Sequence, residues 1–165
     1  MTTSKDAATC ANPNRLVGAY EPSPVARIRD QVALFEATDG TQGDTLEDRP
    51  VVILTSIGAK SGKVRKNPIM RVVDNGIYVA VASAAGAPNH PSWYRNVIAH
   101  PYVLIQDGAE VIPARAREVL GAEKKRWWEI AESFWPHYPE YGRLAAGREI
   151  PLLLLEPTAH HAKRG

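Results

Sequence analysis

Four basic side chains, Lys60, Lys63, Arg65 and Lys66, lie within seven positions of the chain. The segment around them, residues 58–68 (the basic segment), contains two glycines and no acidic residue. Cations at this density repel one another unless an anion binds among them. A glycine-bearing turn exposes backbone N–H groups, and Lys and Arg add charge-assisted hydrogen bonds. The basic segment therefore predicts a site for phosphate or carboxylate groups, with a solvated hairpin turn as the alternative.

The basic segment does not match the P-loop of a nucleotide triphosphatase. A Walker A sequence has four residues between its first glycine and the Gly-Lys pair, and Ser or Thr follows the lysine. Here three residues separate Gly58 from Gly62, and Val64 follows Lys63. A P-loop therefore does not explain the basic residues.

A second candidate binding segment, residues 82–91 (the small-residue loop), joins a predicted strand to a predicted helix. Small side chains let a ligand approach the backbone closely, so the pattern indicates a binding loop, with a plain surface loop as the alternative. The loop contains Ser83, but the Gly-x-Ser-x-Gly pattern of a hydrolase nucleophile is absent. Tyr138 and Tyr141 follow the last predicted helix and are expected at the mouth of a pocket.

Short strands are predicted to position these residues. The predicted strands are 51–54, 69–73, 77–82, 102–106, 110–119 and 151–155, and residues 74–76 supply a hairpin turn. The predicted helices are 24–36, with Ser23 as N-cap, 91–99 and 122–135. About six strands linked mostly by hairpins indicate a small antiparallel barrel or curled sheet, because closure hides the sheet edges.

Composition narrows the class of protein. The 165 residues suffice for one domain. Residues 51–106 carry six basic side chains and one acidic side chain, which favours a local anionic ligand over nucleic acid. The five histidines include no His-x-x-x-His pair and Cys10 is the single cysteine, so no metal site is predicted. Neither a signal peptide nor an apolar run of membrane-spanning length is present, so a cytoplasmic protein is expected.

Three separated segments resemble the deazaflavin-dependent nitroreductase and quinone reductase family of actinobacteria. They are LTSIGAKSGKVRKNP at 54–68, VAS at 81–83 and NHPSWYRN at 89–96. The likeness continues through Trp127-Trp128, Trp135-Pro136 and Arg148-Glu149-Ile150-Pro151, and it covers residues 20–157. Three motifs in the same order are far more specific than any one alone. The resemblance implies a mainly β, α+β fold with inserted helices: a split β-barrel related to barrels that bind flavin mononucleotide (FMN).

Composition and pattern suggest a division of the chain, and the resemblance implies a coenzyme. Residues 1–22 are expected to form a mobile arm, residues 23–48 a helix and loop that cover the barrel, and residues 49–165 the split β-barrel that binds the coenzyme. The implied coenzyme is the deazaflavin F420, in its reduced form F420H2, in preference to FMN. Its phosphate and polyglutamate tail supply an anionic ligand for the basic segment.

Site residues follow from the same resemblance. Lys60, Arg65 and Asn67, with Lys63 assisting, would hold the phosphate and tail. The residues expected to border the ring are Met70, Ala82, Ser83, Ala87, Pro88, Asn89 and Pro91. Trp93 and Asn96 would support the ring, and Ser61 and Pro68 complete the expected coenzyme contacts.

The implied reaction is hydride transfer from F420H2 to a quinone, an activated enone or a nitroaromatic compound. Ser83 or Tyr141 would donate a hydrogen bond or proton to the acceptor oxygen, and Tyr138 would pack over the substrate. Some relatives have tyrosine at the position of Met70 and lysine at that of Ala84, so the resemblance specifies the coenzyme side more closely than the substrate side. A non-catalytic carrier of F420 or flavin is the alternative function.

The expected partner is a small-molecule electron acceptor, not nucleic acid. Helix 24–36 has a mixed polar face with Arg27, Arg29 and Asp30, which favours packing against the barrel. Contact of this helix with a membrane surface is the alternative if the acceptor is a membrane quinone. Both a monomer and a homodimer are compatible with the sequence.

Overall fold

The computed structural model of the protein describes residues 16–145 and 147–158. In this part of the chain, eight strands form one antiparallel sheet, and four α-helices accompany it. The strands are β1 (Thr45–Leu46), β2 (Arg49–Ile57), β3 (Val64–Met70), β4 (Val73–Asp74), β5 (Ile77–Val81), β6 (Tyr102–Asp107), β7 (Glu110–Val119) and β8 (Leu152–Pro157). The helices are α1 (Ala26–Ala37), α2 (Ser92–Ala99), α3 (Gly121–Phe134) and α4 (Tyr138–Leu144).

The sheet curls until its two ends meet. Its main strand order is β1-β2-β6-β7-β8-β5-β4. β3 lies outside this order and pairs with the edge of β2 that faces away from β6. Only Arg71 and Val72 separate β3 from β4, at the other end of this order, and the Val79 N–H donates to the Val72 C=O (2.8 Å). The prediction of a curled antiparallel barrel with inserted helices is therefore confirmed.

Apolar side chains pack on both faces of this sheet. Val52 and Leu54 of β2 enter the barrel interior, whereas Val51 and Ile53 pack against α1. β8 is buried on both faces, because two of its four leucines enter the interior and the other two pack in a second cluster with residues of α3. α1 and α3 thus cover the outer face of the sheet, whereas Trp93 and Val97 of α2 pack into the interior cluster.

Most predicted elements have somewhat different bounds in the structure, as with the strand predicted at 51–54, which is Arg49–Ile57, and two of the differences are explained by specific contacts. The first helix begins at Ala26 with Val25 as N-cap, because Ser23 Oγ accepts a hydrogen bond from the Val25 N–H (3.2 Å) in the preceding turn. β3 begins at Val64, five residues before the predicted start. Its first residues include polar side chains that do not look like a strand in the sequence, but pairing with β2 holds them in one and leaves them half-buried. The second half of the basic segment is therefore a strand.

Part of the predicted N-terminal arm lies on the sheet. Residues 1–15 fall outside the described residues. The Val64 N–H donates to the Ala19 C=O (2.9 Å), and the Glu21 N–H donates to the Val64 C=O (3.0 Å). Residues 19–21 are therefore paired with the edge of β3 rather than free. Within the described ranges, no helix combines the length and apolarity that crossing a bilayer requires.

Candidate functional site

A cavity of about 450 Å³ lies at one end of the sheet. Its walls come from the end of β3, the small-residue loop, the start of α2, and α4 with the chain just before it. Apolar and aromatic side chains dominate the lining, which suits a planar ligand. The lining residues are Arg27, Leu46, Glu47, Pro68, Ile69, Met70, Val81, Ser83, Ala84, Ala85, Pro91, Trp93, Trp135, Tyr138 and Tyr141.

The small-residue loop makes a tight left-handed bend beside this cavity. Ala84, Ala85 and Gly86 have φ of 46°, 52° and 83°. Alanine adopts this conformation at a cost, so the surrounding structure must hold the bend. A Cβ on Gly86 would lie 2.7 Å from Leu144 Cβ, so α4 packs directly on the bend. The loop and α4 therefore have fixed positions relative to each other.

Two largely buried residues in the cavity wall, Ser83 and Tyr138, carry hydroxyls that have no hydrogen-bond partner among the described residues. Ser83 is 8% exposed and Tyr138 is 2% exposed. Among the hydrogen bonds of the described residues, none involves Ser83 Oγ or the Tyr138 hydroxyl. Burial, together with Tyr141, raises the pKa of Tyr138, so its phenol keeps its proton at neutral pH. Both groups are available to donate a hydrogen bond to a bound molecule.

Tyr141 is oriented by its neighbours. The Trp135 indole N–H donates to the Tyr141 hydroxyl (3.3 Å), which leaves the phenolic proton free to be donated. The Tyr138 and Tyr141 rings meet edge to face, with centroids 6.2 Å apart. Trp135 and the two tyrosines thus form one rigid aromatic wall.

The tip of the β2–β3 hairpin presents two free cations. Lys60 and Lys63 are exposed, and in the described part of the chain neither forms an ion pair. The turn itself is fixed, because the Ala59 N–H donates to Asn96 Oδ1 (3.0 Å) and the Lys63 N–H to Ser61 Oγ (3.1 Å). A fixed turn with unpaired ammonium groups suits an anionic ligand.

The other two cations of the basic segment lie on β3 and are paired. Arg65 contacts the Glu21 carboxylate (3.3 Å). Lys66 pairs with Glu36 of α1 and lies against the ring of Tyr20. Because strand side chains alternate, Lys66 faces away from Arg65. The four cations therefore do not form one site.

β3 and α2 both run from the cavity to the hairpin tip. On β3, Arg65 and Asn67 share a face with Ile69, which lines the cavity. On α2, Trp93 lines the cavity and Asn96, three residues later, holds the turn. The six steps along β3 from its first residue to its last cover about 20 Å. A ligand bound along these two elements would be elongated, with an apolar end and an anionic end.

The structure brings to the cavity three of the seven residues predicted to border the ring, together with four other predicted site residues. Pro68, Met70, Ser83, Pro91, Trp93, Tyr138 and Tyr141 all line the cavity. Lys60, Ser61, Lys63, Arg65 and Asn67 lie at or near the hairpin, where Asn96 also makes its hydrogen bond. The remaining predicted residues, Ala82, Ala87, Pro88 and Asn89, are not part of the cavity lining.

Sequence reasoning assigned no role to two residues near the cavity. Trp135 was noticed only as the end of the predicted helix 122–135 and as part of the family likeness, although it lines the cavity and its indole N–H donates to Tyr141. Arg148 belongs to a motif noted in the sequence, and its guanidinium donates to the Ser83 C=O (2.8 Å). Neither role was visible in the sequence, because both depend on how the chain between α3 and β8 folds back over the loop.

Comparison with known proteins identifies the family of this chain. The model of the F420H2-dependent quinone reductases matches residues 27–157. The chain belongs to this family. An F420H2-dependent quinone reductase of Mycobacterium tuberculosis (strain ATCC 25618 / H37Rv) is 31% identical over 121 residues, which are 73% of this chain and 71% of the relative.

Solved structures agree with this family and fold. A structure described as an F420-H2 dependent reductase (FDR-A) is 49% identical, with a TM-score of 0.61, and the match covers 68% of this chain and 98% of that one. Another, described as a domain-swapped dimer, is 46% identical, with a TM-score of 0.63 and coverage of 81% and 100%. A heme-binding protein from Mycobacterium smegmatis, 14% identical with a TM-score of 0.50 over 73% of this chain and 49% of its own, shares the fold alone.

The F420H2-dependent quinone reductase family is a family of oxidoreductases, so the resemblance seen in the sequence is confirmed. The split-barrel class and F420H2 as the coenzyme are confirmed with it. Family membership also favours the enzyme over the non-catalytic carrier.

The residues of this chain fit such a coenzyme. An anionic tail would meet the unpaired ammonium groups of Lys60 and Lys63, and a ring would fit an apolar cavity with unpartnered hydroxyls. Ser56 Oγ, opposite Arg65 in the β2–β3 register, is fully buried and has no hydrogen-bond partner among the described residues. A buried hydroxyl without a partner is costly, and this one lies on the same face of the hairpin as Arg65 and Asn67.

Proposed function

We propose that this protein reduces quinones at the cavity with F420H2 as the hydride donor. The observation that carries the proposal is the connection, along β3 and α2, between an apolar cavity with two unpartnered hydroxyls and a hairpin with two free lysines. This arrangement matches the two ends of a deazaflavin that carries a phosphate and an acidic tail.

The basic segment would bind the anionic end of the coenzyme. Lys60 and Lys63 attract the carboxylates, and Arg65 and Asn67 offer directed N–H donors along β3. Asn96 and Ser61 act indirectly, because their hydrogen bonds fix the turn that carries the lysines. Binding at Arg65 competes with the Glu21 carboxylate, which occupies the guanidinium in the structure.

The cavity would hold the ring and the electron acceptor. Pro68 and Met70 form one wall, and Ser83, Pro91 and Trp93 form another. When bound, F420H2 supplies a hydride, that is, two electrons and one proton in a single step. The apolar lining excludes water from this hydride and fixes the distance to the acceptor.

The hydroxyls of the cavity would serve the acceptor oxygen. A quinone that takes up a hydride becomes a hydroquinone when one further proton reaches its oxygen. Ser83, Tyr138 and Tyr141 can donate hydrogen bonds to that oxygen as its negative charge develops. Tyr138 is suited to this role because it lies in the cavity wall and its hydroxyl has no other hydrogen-bond partner among the described residues. Activated enones gain charge on oxygen in the same way and are the second acceptor class.

Steady-state oxidation of F420H2 by a soluble naphthoquinone tests the proposal. Wild type is expected to turn over, and Ser83→Ala and Tyr138→Phe are expected to lower kcat by about 10- to 100-fold each, as loss of a transition-state donor does. Tyr102→Phe, which removes an exposed hydroxyl outside the cavity, is the matched control. Tight binding of F420 without turnover of quinones, enones or nitroaromatic compounds would instead indicate a carrier.

Assembly and location remain predictions. A relative is described as a domain-swapped dimer, and this chain is predicted to be a monomer or homodimer, which light scattering distinguishes. In α1, Val32 and Phe35 are buried against β2. This packing supports the role of the helix as a cover for the barrel, and contact with membranes is testable by vesicle sedimentation.

A further inference from the structure

The guanidinium of Arg148 binds the small-residue loop at four points. Nε donates to the Ala87 C=O (3.0 Å), Nη1 to the Ala82 C=O (3.1 Å) and Nη2 to the Ser83 C=O (2.8 Å). Nη1 also lies 2.7 Å from His90 Nδ1. Among the described residues, no other side chain donates to a carbonyl of this loop.

The loop needs such support, because it contains two left-handed alanines. Ala84 and Ala85 would relax toward right-handed or extended conformations if the loop were free. Its own backbone contributes two short-range hydrogen bonds, from the Gly86 N–H to the Ser83 C=O (2.9 Å) and from the Ala87 N–H to the Ala84 C=O (3.0 Å). Arg148 donates hydrogen bonds to carbonyls on both sides of the bend, so it opposes this relaxation.

The same bend packs against α4, which carries two residues of the aromatic wall, Tyr138 and Tyr141. Gly86 packs against Leu144, and a Cβ there would also lie 3.1 Å from the Tyr141 C=O. A shift of the bend would therefore displace Ser83 and Tyr141 together. The planar fork of arginine can reach separated acceptors at once, whereas the single ammonium group of lysine cannot.

We propose that Arg148 is a positioning residue of the active site, which holds the left-handed bend and thereby sets Ser83 and, through Gly86, Tyr141 toward the acceptor. This inference rests on the proposed function for its catalytic consequence. Its structural part concerns the coenzyme-free protein and is tested separately.

Hydrogen exchange in the coenzyme-free Arg148→Lys variant tests the structural part. The Gly86 and Ala87 amides are expected to exchange at least about tenfold faster than in wild type, while amides of β6 and β7 keep their rates. Arg117→Lys is the matched control, because Arg117 makes three hydrogen bonds to Glu123 and Glu156 outside the cavity. Unchanged exchange at Gly86 and Ala87, or equal acceleration at every amide, would overturn the proposal.

Kinetics test the catalytic part. At saturating F420H2, Arg148→Lys is expected to lower kcat about tenfold, and Arg117→Lys to leave it unchanged. Adding Ala85→Gly to Arg148→Lys is expected to recover about fivefold, because glycine adopts the left-handed conformation without strain. A general loss of folding would not be rescued in this way, so failure of the rescue contradicts a positioning role.

Two further results distinguish a failure of this inference from a failure of the proposed function. If wild type does not oxidise F420H2 with quinones, the proposed function fails, and the exchange data alone decide whether Arg148 holds the bend. If Arg148→Lys does not fold, the Arg148 Nε proton in wild type is observed directly. Slow exchange of that proton supports the hydrogen bond to Ala87, and exchange at the rate of a free arginine contradicts it.

Discussion

The protonation state of His90 is set by a single contact. Arg148 can only donate, so His90 Nδ1 must accept and the imidazole must be neutral. Burial and the positive charges of Arg148 and Arg95 lower the pKa of His90, and Glu118 opposes them. The Tyr94 ring, whose hydroxyl binds Glu118, lies 4.9 Å from the imidazole. His90 therefore resists protonation in the folded protein more than in the unfolded chain.

This shift predicts that folding stability falls as pH drops below about 6.5, the ordinary pKa of histidine. Below that pH the unfolded chain binds a proton that folded His90 does not, so unfolding is favoured until the pH reaches the lowered folded pKa. Urea unfolding at two pH values, about one unit above and one unit below that pKa, measures the loss. His90→Gln should lose less stability over this range than wild type, and an equal loss in both proteins would contradict the assignment.

At the scale of elements, the packing of α4 on the small-residue loop depends on Gly86. Its φ of 83° is left-handed, and its missing side chain leaves room for Leu144. Gly76, in the β4–β5 hairpin, has a similar φ of 78°, but a Cβ added there would meet nothing within 4 Å. Comparing alanine substitutions at the two glycines therefore separates the cost of the left-handed conformation from the cost of steric overlap.

Gly86→Ala is predicted to destabilise the protein more than Gly76→Ala. Left-handed strain costs each variant about 1–2 kcal/mol. Overlap with Leu144 adds about 1–3 kcal/mol to Gly86→Ala alone. Chemical denaturation of both variants gives the difference, and equal losses would show that α4 moves away from the loop without cost.

The helices near the site were predictable to different degrees. Helix 122–135 was predicted almost to its observed bounds, and Trp127 and Ala131, four residues apart, are buried on one face of this helix, α3. α4 was not predicted, because it spans only seven residues that include Gly142, and the burial of Tyr138 is a tertiary contact. A helix that depends on tertiary packing in this way leaves little trace in local sequence.

At the scale of the whole molecule, one carboxylate ties the closing ends of the sheet together. Asp107, at the end of β6, accepts from Arg71 Nε (2.9 Å and 3.0 Å) in the link between β3 and β4. It also accepts from the Tyr78 hydroxyl of β5 (2.6 Å). The three residues come from parts of the sheet that meet when the barrel closes.

Asp107→Ala is therefore predicted to lower the free energy of unfolding by about 2 kcal/mol. Most of the loss comes from the buried Tyr78 hydroxyl, because the Arg71 side chain is 37% exposed and solvent screens its pair with Asp107. Asp74→Ala, in β4, is the control, since the Asp74 carboxylate forms no hydrogen bond or ion pair within the described part of the chain. Equal stabilities of the two variants would contradict a closing role for Asp107.

The sequence predicted the two ends of the site better than the contacts between them. The basic segment and the small-residue loop were both recognised from residue type and spacing. The four positive charges of the basic segment, however, were counted as one group. In the structure the side chains alternate along β3, so Lys66 pairs with Glu36 and Arg65 pairs with Glu21. Such pairings join residues far apart in the chain, so composition and periodicity do not reveal them.

Fluorescence titration with F420, beside FMN, tests the central claim that the hairpin binds the acidic end of the coenzyme. Wild type is expected to bind F420 more tightly than FMN. Lys60→Ala and Arg65→Ala should each weaken F420 binding about tenfold, as loss of a charge-assisted contact does. Lys66→Ala removes a cation that is paired with Glu36 of α1 and packed on the ring of Tyr20, away from the hairpin tip, so it should leave the affinity unchanged. Equal F420 affinity in wild type, Lys60→Ala and Arg65→Ala would contradict the account.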